Sequence, residues 1–172
     1  MKKILIGAIA VALATAAQAA SVSWMLEKDD PKTYGNLTAY VINGADFAAV
    51  TSLLTTGGST VASDFNTYVI GSATLNSRGA GGGEAQDMTG TSLAFFVFAD
   101  DKIVDGSTYS TTGSIDASAY VFTPPQSSPG DLTLTVDSFT TKGAPIGNAP
   151  EPTSGLLMLL GMAGLALKRK RC

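Results

Sequence analysis

Two uncharged apolar runs, one near each end of the chain, decide how much of it is free to fold as a compact unit. The first runs from Ile4 to Ala14; Met1-Lys2-Lys3 precedes it and Ala17-Gln18-Ala19 follows. The second runs from Leu156 to Leu167; Pro150-Glu151-Pro152 precedes it and Lys168-Arg169-Lys170-Arg171-Cys172 follows. Both are set aside before a fold is read. Residues 20–148, between them, are enough for one domain with a real core.

The N-terminal run has the layout of a secretory signal peptide. Two lysines hold the start on the cytoplasmic side, the apolar stretch is short for a membrane span, and small residues sit where a signal peptidase cuts. A signal peptide is expected over 1–19, with Ala17 and Ala19 read by the peptidase and cleavage after Ala19. The alternative is an uncleaved anchor. No cysteine follows the cut, which excludes a lipoprotein signal.

The C-terminal run is built differently. Pro150 and Pro152 fix their own φ and push their predecessors towards extended backbone, so Glu151 is presented on a stiff stretch that a processing enzyme can grip. Thr153 or Ser154 can cap a following helix. A transmembrane helix is expected over about 154–167, held in orientation by Lys168, Arg169, Lys170 and Arg171, which stay in the cytoplasm. At about 1.5 Å per residue that helix reaches about 21 Å, against about 30 Å of hydrocarbon, and snorkelling lysine and arginine help close the gap. A short, poorly matched helix suits a temporary anchor.

This order of parts resembles the bacterial PEP-CTERM sorting signal. The resemblance covers residues 149–172, with the motif at 150–152; the final Cys172 lies outside the usual pattern. It implies an exosortase-type membrane enzyme as partner, with Pro150, Glu151 and Pro152 as recognition elements and a cut near them. It also implies transient anchoring in the inner membrane of a Gram-negative or related bacterium, then delivery to the cell surface or extracellular matrix. The middles of such proteins vary widely, so the tail gives a destination and not a role. The alternative is an ordinary single-span anchor.

Charge sharpens the picture once mapped. The chain sums to −3, yet between Lys3 and Lys168 five basic residues face fourteen acids, a balance of −9. An acidic middle argues against nucleic acid and against docking on anionic lipid. The chain has no histidine, which removes the commonest general base and metal ligand. Its one cysteine, Cys172, allows no internal disulfide, so packing alone must hold the domain.

The middle reads as β structure. Strands are expected at Ser21–Leu26, Leu37–Ile42, Thr67–Leu75, Ser92–Ala99, Thr108–Ser110, Ala117–Phe122 and Leu132–Phe139. Ser92–Ala99 is the most apolar and is placed at the centre of a sheet. Ala45–Leu54 carries Phe47, Val50 and Leu54 at helical spacing, with Asp46 as cap and Gly57-Gly58 as stop. It predicts one short helix over an open end of the sheets. Arg78–Glu84 reads as a mobile, exposed glycine loop, Pro124–Gly130 as a stiff connection and 140–148 as an extended linker. The expected fold is all-β, a small antiparallel β-sandwich over 20–139 with one short helix.

Little in the middle points to chemistry. Gly79–Gly83 lacks the Lys-Ser or Lys-Thr of a phosphate loop. Asp29-Asp30, Glu84 with Asp87, and Asp100-Asp101 with Asp105 are acidic, but none has the spacing of a calcium loop. Solvated turns are the plainer reading, and Asp100, Asp101 and Asp105 are the place for an ion if one binds. No cofactor is expected. Opposed carboxylates would serve a hydrolase. Trp24, Tyr34, Tyr40, Tyr68, Tyr109 and Tyr120 would make a sugar-stacking platform only if several shared an exposed face. The leading expectation is therefore an exported, non-catalytic surface or matrix protein. Its rivals are a polysaccharide- or surface-partner-binding module, which needs exposed aromatics or an ion-pinned loop, and a carboxylate hydrolase, which needs a deep acidic pocket.

Overall fold

The computed structural model describes residues 19–27 and 31–147. The predicted signal peptide up to residue 18, the Pro-Glu-Pro motif, the predicted transmembrane helix and the basic end lie outside the described residues.

Nine strands form two sheets among the described residues. In the four-stranded sheet, β1 (Ala20–Leu26) pairs along one edge with β4 (Gly81–Met88). Along the other edge it pairs first with β7 (Val121–Phe122), then with β8 (Leu132–Leu134). The five-stranded sheet runs β3 (Val69–Thr74), β2 (Thr38–Asn43), β5 (Ser92–Phe98), β6 (Thr108–Asp116), β9 (Thr141–Pro145). Every pairing is antiparallel except β1 with β8. The two sheets face each other, as the sequence predicts, and β5 is the central strand of its sheet.

The alternation of β5 explains the architecture. Leu93, Phe95 and Val97 point between the sheets, where they meet Val22, Trp24, Leu26 and Val41. Ala94, Phe96 and Phe98 point the other way and are equally buried, under α2 (Phe47–Thr56) and α3 (Val61–Asn66). A strand buried on both faces is what its continuous apolar run requires. Phe95 is displaced by a bulge, and its N–H donates to the Thr112 hydroxyl at 3.1 Å instead of to the ladder.

The helix at 47–56 is where its periodicity places it, but its position differs from the expectation. Its buried residues, Val50 and Leu54, lie on the outer face of the five-stranded sheet rather than at an open end. Each is fully buried, worth about 1.5–3 kcal/mol. Asp46 precedes the helix without a side-chain capping bond; Gly57, at φ 67, ends it. Helix α3 was not expected. Phe65 recruits it, packing edge-on against Phe98 at 4.9 Å and against Phe96 and Tyr40 at 5.7 Å. A single turn, α1 (Pro31–Tyr34), precedes β2.

The glycine loop is corrected in part: Arg78, Gly82, Gly83 and Glu84 are exposed as expected, but the segment is not a free loop. Gly81, Gly82 and Gly83 open β4 and pair with Leu26, Met25 and Trp24. Gly79 is buried in a turn that Asn76 organises, its side-chain oxygen accepting from the N–H groups of Arg78 at 2.8 Å and Ala80 at 3.2 Å. The physical reason is close backbone approach. Strands β3 and β4 bring the two sheets together at one side, and a Cβ on Gly71 would lie 2.6 Å from the Glu84 carbonyl oxygen.

Two predicted strands are shorter than expected. At Ala117–Phe122 only Val121 and Phe122 pair, because the Asp116 carboxylate takes the Ser118 N–H at 2.9 Å and hydroxyl at 3.1 Å and turns the chain. After Leu134, Thr135 and Ser138 cap each other in a tight turn, so Val136 does not continue the alternation and Phe139 enters the core instead.

Candidate functional site

The region of interest is the last described stretch of the chain, just before the motif at 150–152. The sequence predicts a linker over 140–148; the structure has an edge strand there. In β9, Ala144 pairs with Tyr109 and Pro145 with Thr108 of β6. Lys142 and Pro145 on this edge discourage another strand from adding to it. Ile146 is fully buried with Leu54, Val50 and Tyr109. Its N–H donates to the Ser107 carbonyl at 2.8 Å, and its carbonyl accepts from the Gly106 N–H at 3.0 Å.

One residue further, Gly147 is held as well. Its N–H donates to the Leu54 carbonyl, in the last turn of α2, at 2.9 Å. The corner is tight. Gly147 has φ 72, and a Cβ there would lie 2.6 Å from Asp105 Oδ1. A Cβ on Gly57 would strike the same carboxylate and the Gly147 backbone. Asp105 Oδ1 also accepts from the Gly58 N–H at 2.7 Å. The Asp105 carboxylate thus caps the chain just after α2 and lies close against Gly147. The sequence gives a faint signal for this corner in Ile146, an apolar residue inside an otherwise polar stretch.

The three aspartates singled out as a possible cation site do not converge. Asp105 serves the exit corner. Asp101 accepts from the Thr38 N–H at 2.7 Å and hydroxyl at 3.0 Å, anchoring the start of β2. Asp100 is exposed at a turn, with φ 54. Among the described residues no three histidine, cysteine or acidic side chains gather as metal ligands.

The aromatic residues also part company with a sugar platform. Trp24, Tyr34 and Tyr109 are buried, and Tyr40, Tyr68 and Tyr120 are half-buried packing. Burial pushes the hydroxyls of Tyr34, Tyr40 and Tyr109 above the usual phenol range; Asp101 adds to the shift at Tyr40. The Asp116 carboxyl is held below its ordinary value by the Ser118 N–H and hydroxyl. Glu84 and Asp87 share a shallow cleft of about 260 Å³ with Ala19 and Ser21, and both acids are exposed.

Ala19 is the one predicted processing residue inside the described region on the N-terminal side; Ala17 lies outside it. Strand β1 starts at Ala20, which pairs with Met88. No helix among the described residues is long and apolar enough to cross a membrane.

Comparison with known families adds to this geometry. Residues 148–171 match the PEP-CTERM protein-sorting motif. The match begins at the residue after Gly147, whose N–H is still bonded to the Leu54 carbonyl of the β domain. The motif implies export, transient membrane anchoring and an exosortase as the processing partner. No curated protein and no solved structure matches the chain.

Proposed function

We propose that this protein is a non-catalytic component of the cell surface or extracellular matrix, exported by a signal peptide over 1–19 and cut by an exosortase near Pro150-Glu151-Pro152. The observation that carries the reading is the sorting motif matched at 148–171, immediately after Gly147, a residue still hydrogen-bonded into the β domain. Cargo and signal are thereby separable without loss of any core residue. Signal peptidase cleavage after Ala19 would likewise leave β1 whole, from Ala20 onwards. Lys168, Arg169, Lys170 and Arg171 act in this scheme as the cytoplasmic stop that holds the tail across the inner membrane.

The domain suits life outside the cell. It is held by two apolar clusters and needs no disulfide. Its acidic balance keeps it hydrated among polymers. Among the described residues, Met25 and Val104 are the exposed large hydrophobic side chains, so little large apolar surface faces solvent. The test is fractionation of the native host. The wild-type chain should reach the surface or matrix fraction, and a P150A/E151A/P152A chain should stay in the inner membrane. Equal distribution of the two would refute motif-dependent delivery.

A further inference from the structure

We infer that the processing enzyme bears directly on the folded domain at the exit corner, using the groove beside Val104 as its contact. The inference rests on the exosortase reading of the tail. Its ground is the absence of slack. Gly147 is bonded to the end of α2, and Pro150 is three residues further on. Three fully extended residues span at most about 10 Å. A protein interface of ordinary size covers about 800 Å² per partner, a disc about 16 Å in radius. An enzyme gripping Pro150-Glu151-Pro152 with such a footprint therefore covers the corner where the chain emerges.

What it meets there is apolar and accessible. A groove of about 410 Å³ lies beside Asp105, the residue that abuts Gly147, and is walled by Gly58, Val61, Ala62, Ile103 and Val104. Val104 is 51% exposed, the most exposed large hydrophobic residue described. The partner chemistry this fits is an apolar loop of the membrane enzyme, brought to the groove by its hold on the motif. The fold also sets a limit on the cut. Ile146 is fully buried and Gly147 is hydrogen-bonded, so the scissile bond lies beyond Gly147.

The test uses the full chain in membrane vesicles with and without the exosortase, following loss of the tail over time. V104D should slow cleavage on the order of tenfold, the effect of losing an interface anchor. Tryptophan fluorescence confirms that the variant is folded, and V104S carries the test if V104D is not. A second chain has about 12 Gly/Ser residues inserted between Gly147 and Asn148, giving roughly 19 Å of slack. There, V104D and its parent should be cut at equal rates. A photo-crosslinker at position 104 should capture the enzyme. V104D cut as fast as wild type at native spacing would overturn the contact while leaving the sorting reading intact. Capture of lipid alone would make the bilayer the occupant and overturn it too. A wild-type chain left uncut by enzyme-containing vesicles would overturn both.

Discussion

Replacing Ile146 by alanine tests whether the chain up to the motif belongs to the fold. Ile146 has no exposed surface and packs among Leu54, Val50 and Tyr109, beneath the last turn of α2. Deleting three buried carbons removes their transfer free energy and leaves a cavity, because the C-terminal end of α2 is fixed by the Gly147 N–H on the Leu54 carbonyl and by Asp105 on the Gly58 N–H. Ile→Ala changes in such surroundings cost about 2–5 kcal/mol. With a urea dependence of roughly 2 kcal/mol per molar, the unfolding midpoint should fall by about 1–2.5 M. Trp24 reports the transition; it is the single tryptophan, 2% exposed, and packs edge-on against Phe95 at 5.2 Å. A residue in an extended linker would give a change within about 0.5 kcal/mol, a midpoint shift under about 0.3 M. That smaller shift would refute the placement of β9 and Ile146 in the fold, and with it the claim that the fold reaches up to the motif match.

Other consequences can be checked on the same protein. G71A should lower stability by about 1–3 kcal/mol, read from the urea midpoint, because its Cβ must displace the Glu84 backbone; an unchanged midpoint would contradict the close approach of β3 and β4. Folding raises the pKa of Tyr34, Tyr40 and Tyr109, so the stability they contribute is complete below pH ~10 and is lost as pH rises through the higher folded values. Unfolding temperature measured from pH 9 to 12 should therefore fall more steeply for the parent than for a Y109F variant. Calcium at millimolar concentration should leave the melting temperature where chelator leaves it, since Asp101 and Asp105 are engaged at separate corners; a clear rise would revive the aspartate cluster as an ion site.

Much of the fold was legible because it rests on local pattern. The Ser92–Phe98 run declares a strand buried on both faces, and Phe47, Val50 and Leu54 declare a helix. What misled was composition read without context. Glycine marks both mobile loops and places where backbones must touch, and only the partner strand distinguishes them; Gly81 and Gly82 belong to the second kind. The stretch 140–147 lacks alternation because it is an edge strand with one apolar anchor, Ile146, and its partner β6 lies about thirty residues away in sequence. The aspartates differ again. Their identity was plain, but each accepts from a distant backbone N–H, Asp101 from Thr38 and Asp105 from Gly58, and such pairings leave no spacing rule. The tail was the most readable part, because its function depends on order and charge along the chain rather than on folding.

The most direct test of the account is the intact mass of the mature protein from its native host, with and without the exosortase. The mature chain should start at about Ala20 and end beyond Gly147, close to Pro150, only when the enzyme is present. A chain that keeps Lys168 to Cys172 in both strains would contradict it and make the tail a permanent anchor.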